Sequence, residues 1–159
     1  MFRSMSAEEY IKQRIEQQQK WYDEKAVKAK SAYLKIRTVA VVGAVLVPVA
    51  ANVDITGYMA YRTALTTIIS LMVRIVVALD SVYHFGDQWK NYRSTEQYLS
   101  KEKFLFQTGE GAYKDADPEK AFILLAERCE EQIQAENSAT LNVISSVSQK
   151  LASVSEKTT

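Results

Sequence analysis

TVAVVGAVLVPVAANV (Thr38–Val53) and ALTTIISLMVRIVVAL (Ala64–Leu79) are the stretches whose reading decides the fold. The first contains no charged residue, and the second contains only Arg74. Asp54-Ile55-Thr56-Gly57-Tyr58, rich in turn formers, follows the first run. Each run is 16 residues long, about 24 Å of helix at ~1.5 Å per residue. A spanning helix takes about 20 apolar residues, so the flanks must contribute. Leu34 and Ile36 extend the first run, with Lys35 and Arg37 able to snorkel toward headgroups. Tyr58 and Tyr61 before the second run, and Tyr83 and Trp89 after it, suit interfacial belts. The competing reading is a soluble bundle that buries its central hairpin. The charge-free first run favours a transmembrane hairpin, with spans over 38–57 and 58–82.

Composition agrees once the chain is partitioned. Mean hydropathy is −0.19 and 25% of residues are charged, values ordinary for a water-soluble protein. The average hides two apolar segments inside a charged chain of 159 residues, a length that suits one domain. A net charge of +1 gives no argument for a nucleic-acid partner. The single cysteine, Cys129, excludes an internal disulfide and suits a reducing compartment. One histidine and one cysteine, far apart, make no metal-ligand cluster. The opening MFRSMSAEEY lacks the apolar core of a signal peptide. Lys25, Lys28, Lys30, Lys35 and Arg37 precede the first span, and Lys90, Arg93, Lys101 and Lys103 follow the second. The link between the spans has no Lys or Arg until Arg62. The positive-inside rule therefore predicts a multi-pass inner-membrane protein with both termini in the cytoplasm.

The remainder reads as cytoplasmic helices packed in a bundle, giving an all-α fold. Ser6 and Glu9 have the spacing of a capping box and open a helix over 6–37. Ile11, Ile15, Trp21, Tyr22, Ala29 and Tyr33 recur along one face of it. An extension over 83–107 continues the second span, with Phe85, Trp89, Tyr92, Leu99 and Phe106 near one side. Gly86 weakens that helix and predicts a bend there. Thr108 to Ala116 is a breaker. Asp117-Pro118-Glu119 then supplies an N-cap, a proline at the first helical position and an acid in the first turn. The last helix, 117–153, should turn Phe122, Leu125, Cys129, Ile133 and Leu141 inward, and its Ser- and Thr-rich end should fray.

These segments also carry a resemblance. WYDEKAVKAKSAY (Trp21–Tyr33), DQWKNYRSTEQYLSKEKFLFQTGEGAY (Asp87–Tyr113) and FILLAERCEEQIQAEN (Phe122–Asn137) resemble a bacterial family of unknown function. That family is close to the SLATT domain, the SMODS and SLOG-associating two-transmembrane effector. The resemblance spans nearly the whole chain. It is most specific at Trp89-x-x-Tyr92-Arg93, Glu96, Glu102 and the loop that ends at Tyr113. Gly111-Ala112-Tyr113 stands where relatives often carry Gly-Pro-Tyr. The resemblance implies two spans, flanking cytoplasmic helices with both termini inside, and a pore-forming effector role in bacterial conflict systems.

The chemistry points away from catalysis. Trp89, Tyr92, Arg93, Glu96, Glu102 and Tyr113 read as a structural motif. Arg93 and Glu96 are three apart on one helix face, and Glu127 or Glu131 on the last helix are further candidate partners for Arg93. Glu130 and Glu131 are consecutive and point to different faces. No nucleophile–base set is present, and Gly109-Glu110-Gly111 reads as a turn rather than a phosphate cradle. No enzymatic activity and no cofactor are expected.

The second span holds the sharper signal. At about 100° per residue, Thr63, Thr67, Ser70, Arg74 and Ser81 fall within about 40° of one line, a polar stripe along the helix. Leu65, Ile68, Met72, Val76 and Leu79 occupy the opposite side. Such a stripe either joins helices or lines a wet pore. Arg74 favours the pore, because a mid-membrane charge costs about 2.5–3.5 kcal/mol and normally faces water or a partner. One hairpin encloses nothing, so a homo-oligomer is implied, with the bilayer, further copies and a permeating ion as partners. The alternative is a non-conducting membrane scaffold that recruits a partner through its helical domain.

Overall fold

The computed structural model describes residues 5–52 and 59–156, and every regular element among them is helical. The elements are α1 (Ala7–Tyr10), a π turn (Ile11–Ile15), α2 (Glu16–Asn52), α3 (Met59–Tyr83), α4 (Phe85–Thr108), a 3-10 turn (Gly111–Tyr113) and α5 (Pro118–Glu156). The link at Asp54 to Tyr58 lies outside the described residues. Two compact units result, one of residues 1–28 with 87–159 and one of residues 29–86.

In the first unit, three helical segments share one core. α1 starts as the sequence predicts: Ser6 Oγ accepts from the Glu9 N–H at 3.2 Å, while Glu9 Oε2 accepts from the Ser6 N–H at 3.1 Å. Tyr10, Ile11, Ile15 and Tyr22 turn inward from the N-terminal segment. α5 meets them with Ala121, Leu125, Cys129 and Ile133, an unbroken i, i+4 ladder. Leu99 of α4 and Tyr113 of the 3-10 turn complete the core. Gly109 and Gly111 both have positive φ, 66° and 63°, so the loop between α4 and α5 uses glycine where other residues are strained. Not every residue singled out on these helices is buried. Trp21 is 44% exposed and Leu141 is 66% exposed. Leu141 lies two turns beyond Ile133, the last hydrophobic α5 position in the core.

The second unit is the apolar hairpin. Along α2 the less exposed positions include Tyr33, Ile36, Ala40, Gly43, Val47 and Ala50. Along α3 they include Arg62, Thr66, Ile69, Val73, Val76 and Asp80. Both sets advance in alternating steps of three and four, the period of two helices meeting along a narrow seam. Gly43 faces Val73 across the seam, where a Cβ would overlap the Val73 side chain. Val76, expected opposite the polar stripe, belongs to this seam. Arg37 lies 3.9 Å from Asp80 and 5.4 Å from the Tyr33 ring centroid, tying one end of the hairpin.

The hairpin buries little else. Val39, Val41, Val42, Val45, Leu46 and Val49 of α2 are exposed, as are Leu65, Ile68, Leu71, Met72, Ile75, Val77 and Leu79 of α3. Both helices are long and apolar enough to cross a membrane, and their most apolar windows are 6% and 0% buried. The rest of the described chain therefore leaves these apolar windows uncovered. A monomer rarely exposes so continuous an apolar surface.

The predicted bend falls elsewhere. His84, not Gly86, interrupts the helix between α3 and α4, with φ of 48°. Its N–H still donates to the Asp80 carbonyl at 2.9 Å. Histidine is among the residues that tolerate this conformation. Gly86 serves close packing: a Cβ there would meet the Tyr33 ring at 3.0 Å.

Candidate functional site

Three carboxylates of the first unit are held by hydroxyls and guanidiniums. Glu102 of α4 is fully buried. Arg128 of α5 grips it with two parallel bonds, Nε to Oε2 and Nη2 to Oε1, both 2.8 Å. The Tyr113 hydroxyl donates to Oε2 at 2.6 Å. Burial pushes the Glu102 carboxyl up, but the bonds from Arg128 and Tyr113 outweigh it and hold the group below the usual carboxylate range. Glu130 is held in the same way on the partly exposed side of α5. Arg14 Nε and Nη2 reach its two oxygens at 2.8 Å each, and Tyr10 Oη donates at 3.1 Å. The Arg14 bonds lower its carboxyl against the opposing effect of burial. Glu136, 5% exposed, accepts from Tyr22 Oη at 3.3 Å and from Thr140 Oγ1 at 2.7 Å.

Local sequence places each partner. The π turn Ile11–Ile15 carries Arg14 one turn beyond Tyr10, so both reach Glu130. The 3-10 turn buries Tyr113 beneath Glu102. Burial raises the hydroxyl pKa of Tyr10, Tyr22 and Tyr113, and the neighbouring carboxylates raise it further, so all three remain donors. Cys129 lies between these nodes, and burial pushes its thiol up to about 12, a poor nucleophile. The arrangement fixes helices in register.

The motif residues separate into two roles. Glu102 and Tyr113 belong to the buried node. Arg93 does not reach Glu127 or Glu131. It pairs with Asp23 of α2 at 2.9 Å and with Glu96 at 3.2 Å, on a half-exposed surface. Exposed pairs of this kind contribute about 0–1 kcal/mol. Tyr92 packs edge-on to Trp21 at 5.9 Å, and Trp89 is half-buried. Sequence reasoning missed Arg128, Arg14, Tyr10 and Glu136, and placed Tyr22 on an apolar and aromatic face without its bond to Glu136. One signal was available for Arg128: Glu102 sits three after Leu99 and four before Phe106, so an acid on an apolar face demanded a cation.

In the second unit, Thr63, Thr67, Arg74 and Ser81 are exposed and Ser70 is half-buried. At about 100° per residue, their line lies roughly 100° from the seam with α2. The stripe therefore flanks the seam and lies outside the contact with the hairpin's own partner helix. Thr67 Oγ1 donates to the Thr63 carbonyl and Ser70 Oγ to the Thr66 carbonyl, each at 2.8 Å. Their remaining lone pairs point outward as acceptors. Among the described residues no carboxylate lies within ion-pair distance of Arg74.

Among the described residues no group of three or more His, Cys, Asp or Glu is placed to hold a metal. An open groove of about 430 Å³ runs between Arg14, Gln17 and Trp21 on one side and Ile133 and Asn137 of α5 on the other.

A family described as "Protein of unknown function (DUF4231)" matches residues 17–121. The chain belongs to that family. The matched segment contains both hairpin helices, Glu102 and Tyr113, while Arg128 and Glu130 lie beyond it. The family description names no activity. No curated protein matches the chain, and no solved structure does.

Proposed function

We propose that this chain is an oligomeric membrane pore or ion channel of the bacterial inner membrane, akin to the SLATT-type two-transmembrane effectors that it resembles. α3 and the apolar half of α2 cross the bilayer, and the helical bundle on the cytoplasmic side senses or gates. One observation carries the reading. An arginine stands in the middle of an apolar helix, on an exposed face outside the hairpin's own seam. In lipid that position costs about 2.5–3.5 kcal/mol, a cost that water or a symmetric partner relieves. Cyclic symmetry brings identical stripes together and supplies both.

Flux from vesicles holding the purified full-length protein tests this. Ion release that scales with protein content, from a species larger than a monomer by native mass spectrometry, is the expected result. A monomer, or an oligomer that releases no ion, would instead favour the scaffold reading. Topology has its own test. On a Cys129→Ser background, a cysteine at Thr56 should react with an impermeant thiol reagent in intact cells, and cysteines at Lys20 or Ser138 should not. The reverse pattern would overturn the orientation.

A further inference from the structure

We infer that the pore selects anions and that Arg74 sets the selectivity. This inference rests on the pore reading above and names what passes. The argument comes from an inventory of fixed charge. From Thr38 to Asn52, α2 has no Asp, Glu, Lys or Arg. From Met59 to Tyr83, α3 has Arg62, Arg74 and Asp80. Arg62 lies near the start of α3, and Asp80 lies near its end with Arg37 3.9 Å away. Arg74 is therefore the one full charge in the middle of either apolar segment. A conduit lined by the Arg74 face of α3 therefore carries a positive mid-depth charge and no fixed negative one.

Depth and direction agree. Arg74 is nine residues before Tyr83, about 13 Å along the helix at ~1.5 Å per residue. That places it well inside a hydrocarbon layer of about 30 Å. It shares the exposed stripe with Thr63, Thr67 and Ser81. Thr67 and Ser70 spend their hydroxyl protons on their own helix, so they wet the wall without adding charge. Symmetry repeats Arg74 at one depth and closes a cationic ring. A passing anion relieves the mutual repulsion of that ring, whereas a passing cation adds to it, and a narrow low-dielectric passage strengthens both effects.

Reversal potentials in planar bilayers under a potassium chloride gradient test the inference on the full-length protein. Wild type and Arg74→Lys should reverse near the chloride equilibrium potential. Arg74→Gln should lower the chloride-to-potassium permeability ratio by at least about tenfold, and Arg74→Glu should invert it. To separate charge from assembly, Arg74→Cys on a Cys129→Ser background is modified after channels have formed. A cationic methanethiosulfonate should restore anion preference, and an anionic one should produce cation preference. Conducting channels whose permeability ratio is the same in every variant and after either reagent would overturn the inference and leave the pore standing. Absence of conductance in wild type would overturn the pore, and the inference with it.

Discussion

Replacing Arg128 with methionine should destabilise the helical bundle by about 3–5 kcal/mol, because it strands the buried Glu102 carboxylate without its cation. Glu102 is fully buried, while the Arg128 side chain is 37% exposed, so the two partners are not equivalent. An orphaned Arg128 reaches water; an orphaned Glu102 does not. Glu102→Gln should therefore cost less than Arg128→Met, since the amide still accepts the bond from Tyr113. The double variant Glu102→Gln/Arg128→Met should recover much of the loss, because no buried charge then remains. Both tryptophans, Trp21 and Trp89, lie in the first unit, so their fluorescence during thermal unfolding in detergent reports on that unit. Equal losses in the two single variants would mean that water reaches Glu102.

The same variants have a pH signature whose sign is opposite to that of wild type. In wild type the folded-state pKa of Glu102 lies below the ordinary value of 4.5, and that of Glu130 does too. Their stabilisation is present above about pH 4.5 and is lost as pH falls through the lowered folded values. Acid should therefore weaken the wild-type bundle. In Arg128→Met, Glu102 keeps the bond from Tyr113 but loses both from Arg128, so burial, the largest single influence, prevails and raises its pKa. That variant should recover stability as pH falls toward 4.5, because protonation removes the unpaired charge.

Much of the chain was legible because its segments differ so sharply in charge. The charge-free run that begins at Thr38 marked a helix that, as far as Asn52, the chain leaves largely exposed. Ser6 with Glu9, and Asp117 before Pro118, marked two helix starts that the structure contains. The break at His84 was not legible, because no proline or glycine occupies that position; the nearby Gly86 drew the attention instead. The Glu102–Arg128 node was missed for a different reason. Its partners are 26 residues apart and meet only when α4 and α5 pack. Arg93 and Glu96 offered a local pair three residues apart, and local spacing is visible before packing is. The polar stripe was read from angles alone, and the same angles place it away from the seam.

The hairpin offers the second large effect. Gly43→Ala should destabilise the packing of α2 on α3 by about 1–3 kcal/mol, the usual cost of forcing a methyl group into a filled contact. The atom it would overlap belongs to the side chain of Val73. A β-branched valine on a helix has one strongly preferred rotamer, so it cannot swing away cheaply. The backbones must separate instead, which weakens contact along the whole seam from Ile36 to Ala50. Val73→Ala alone removes contacts and should cost less than Gly43→Ala. In the double variant the overlap is gone, so the two changes should fall well short of additive. Unfolding by titration with a denaturing detergent, followed by helix content for all four proteins, measures the coupling. Strict additivity would mean that Gly43 and Val73 do not share the contact. Close coupling would fix the seam to one face of α3 and leave Arg74 outside it.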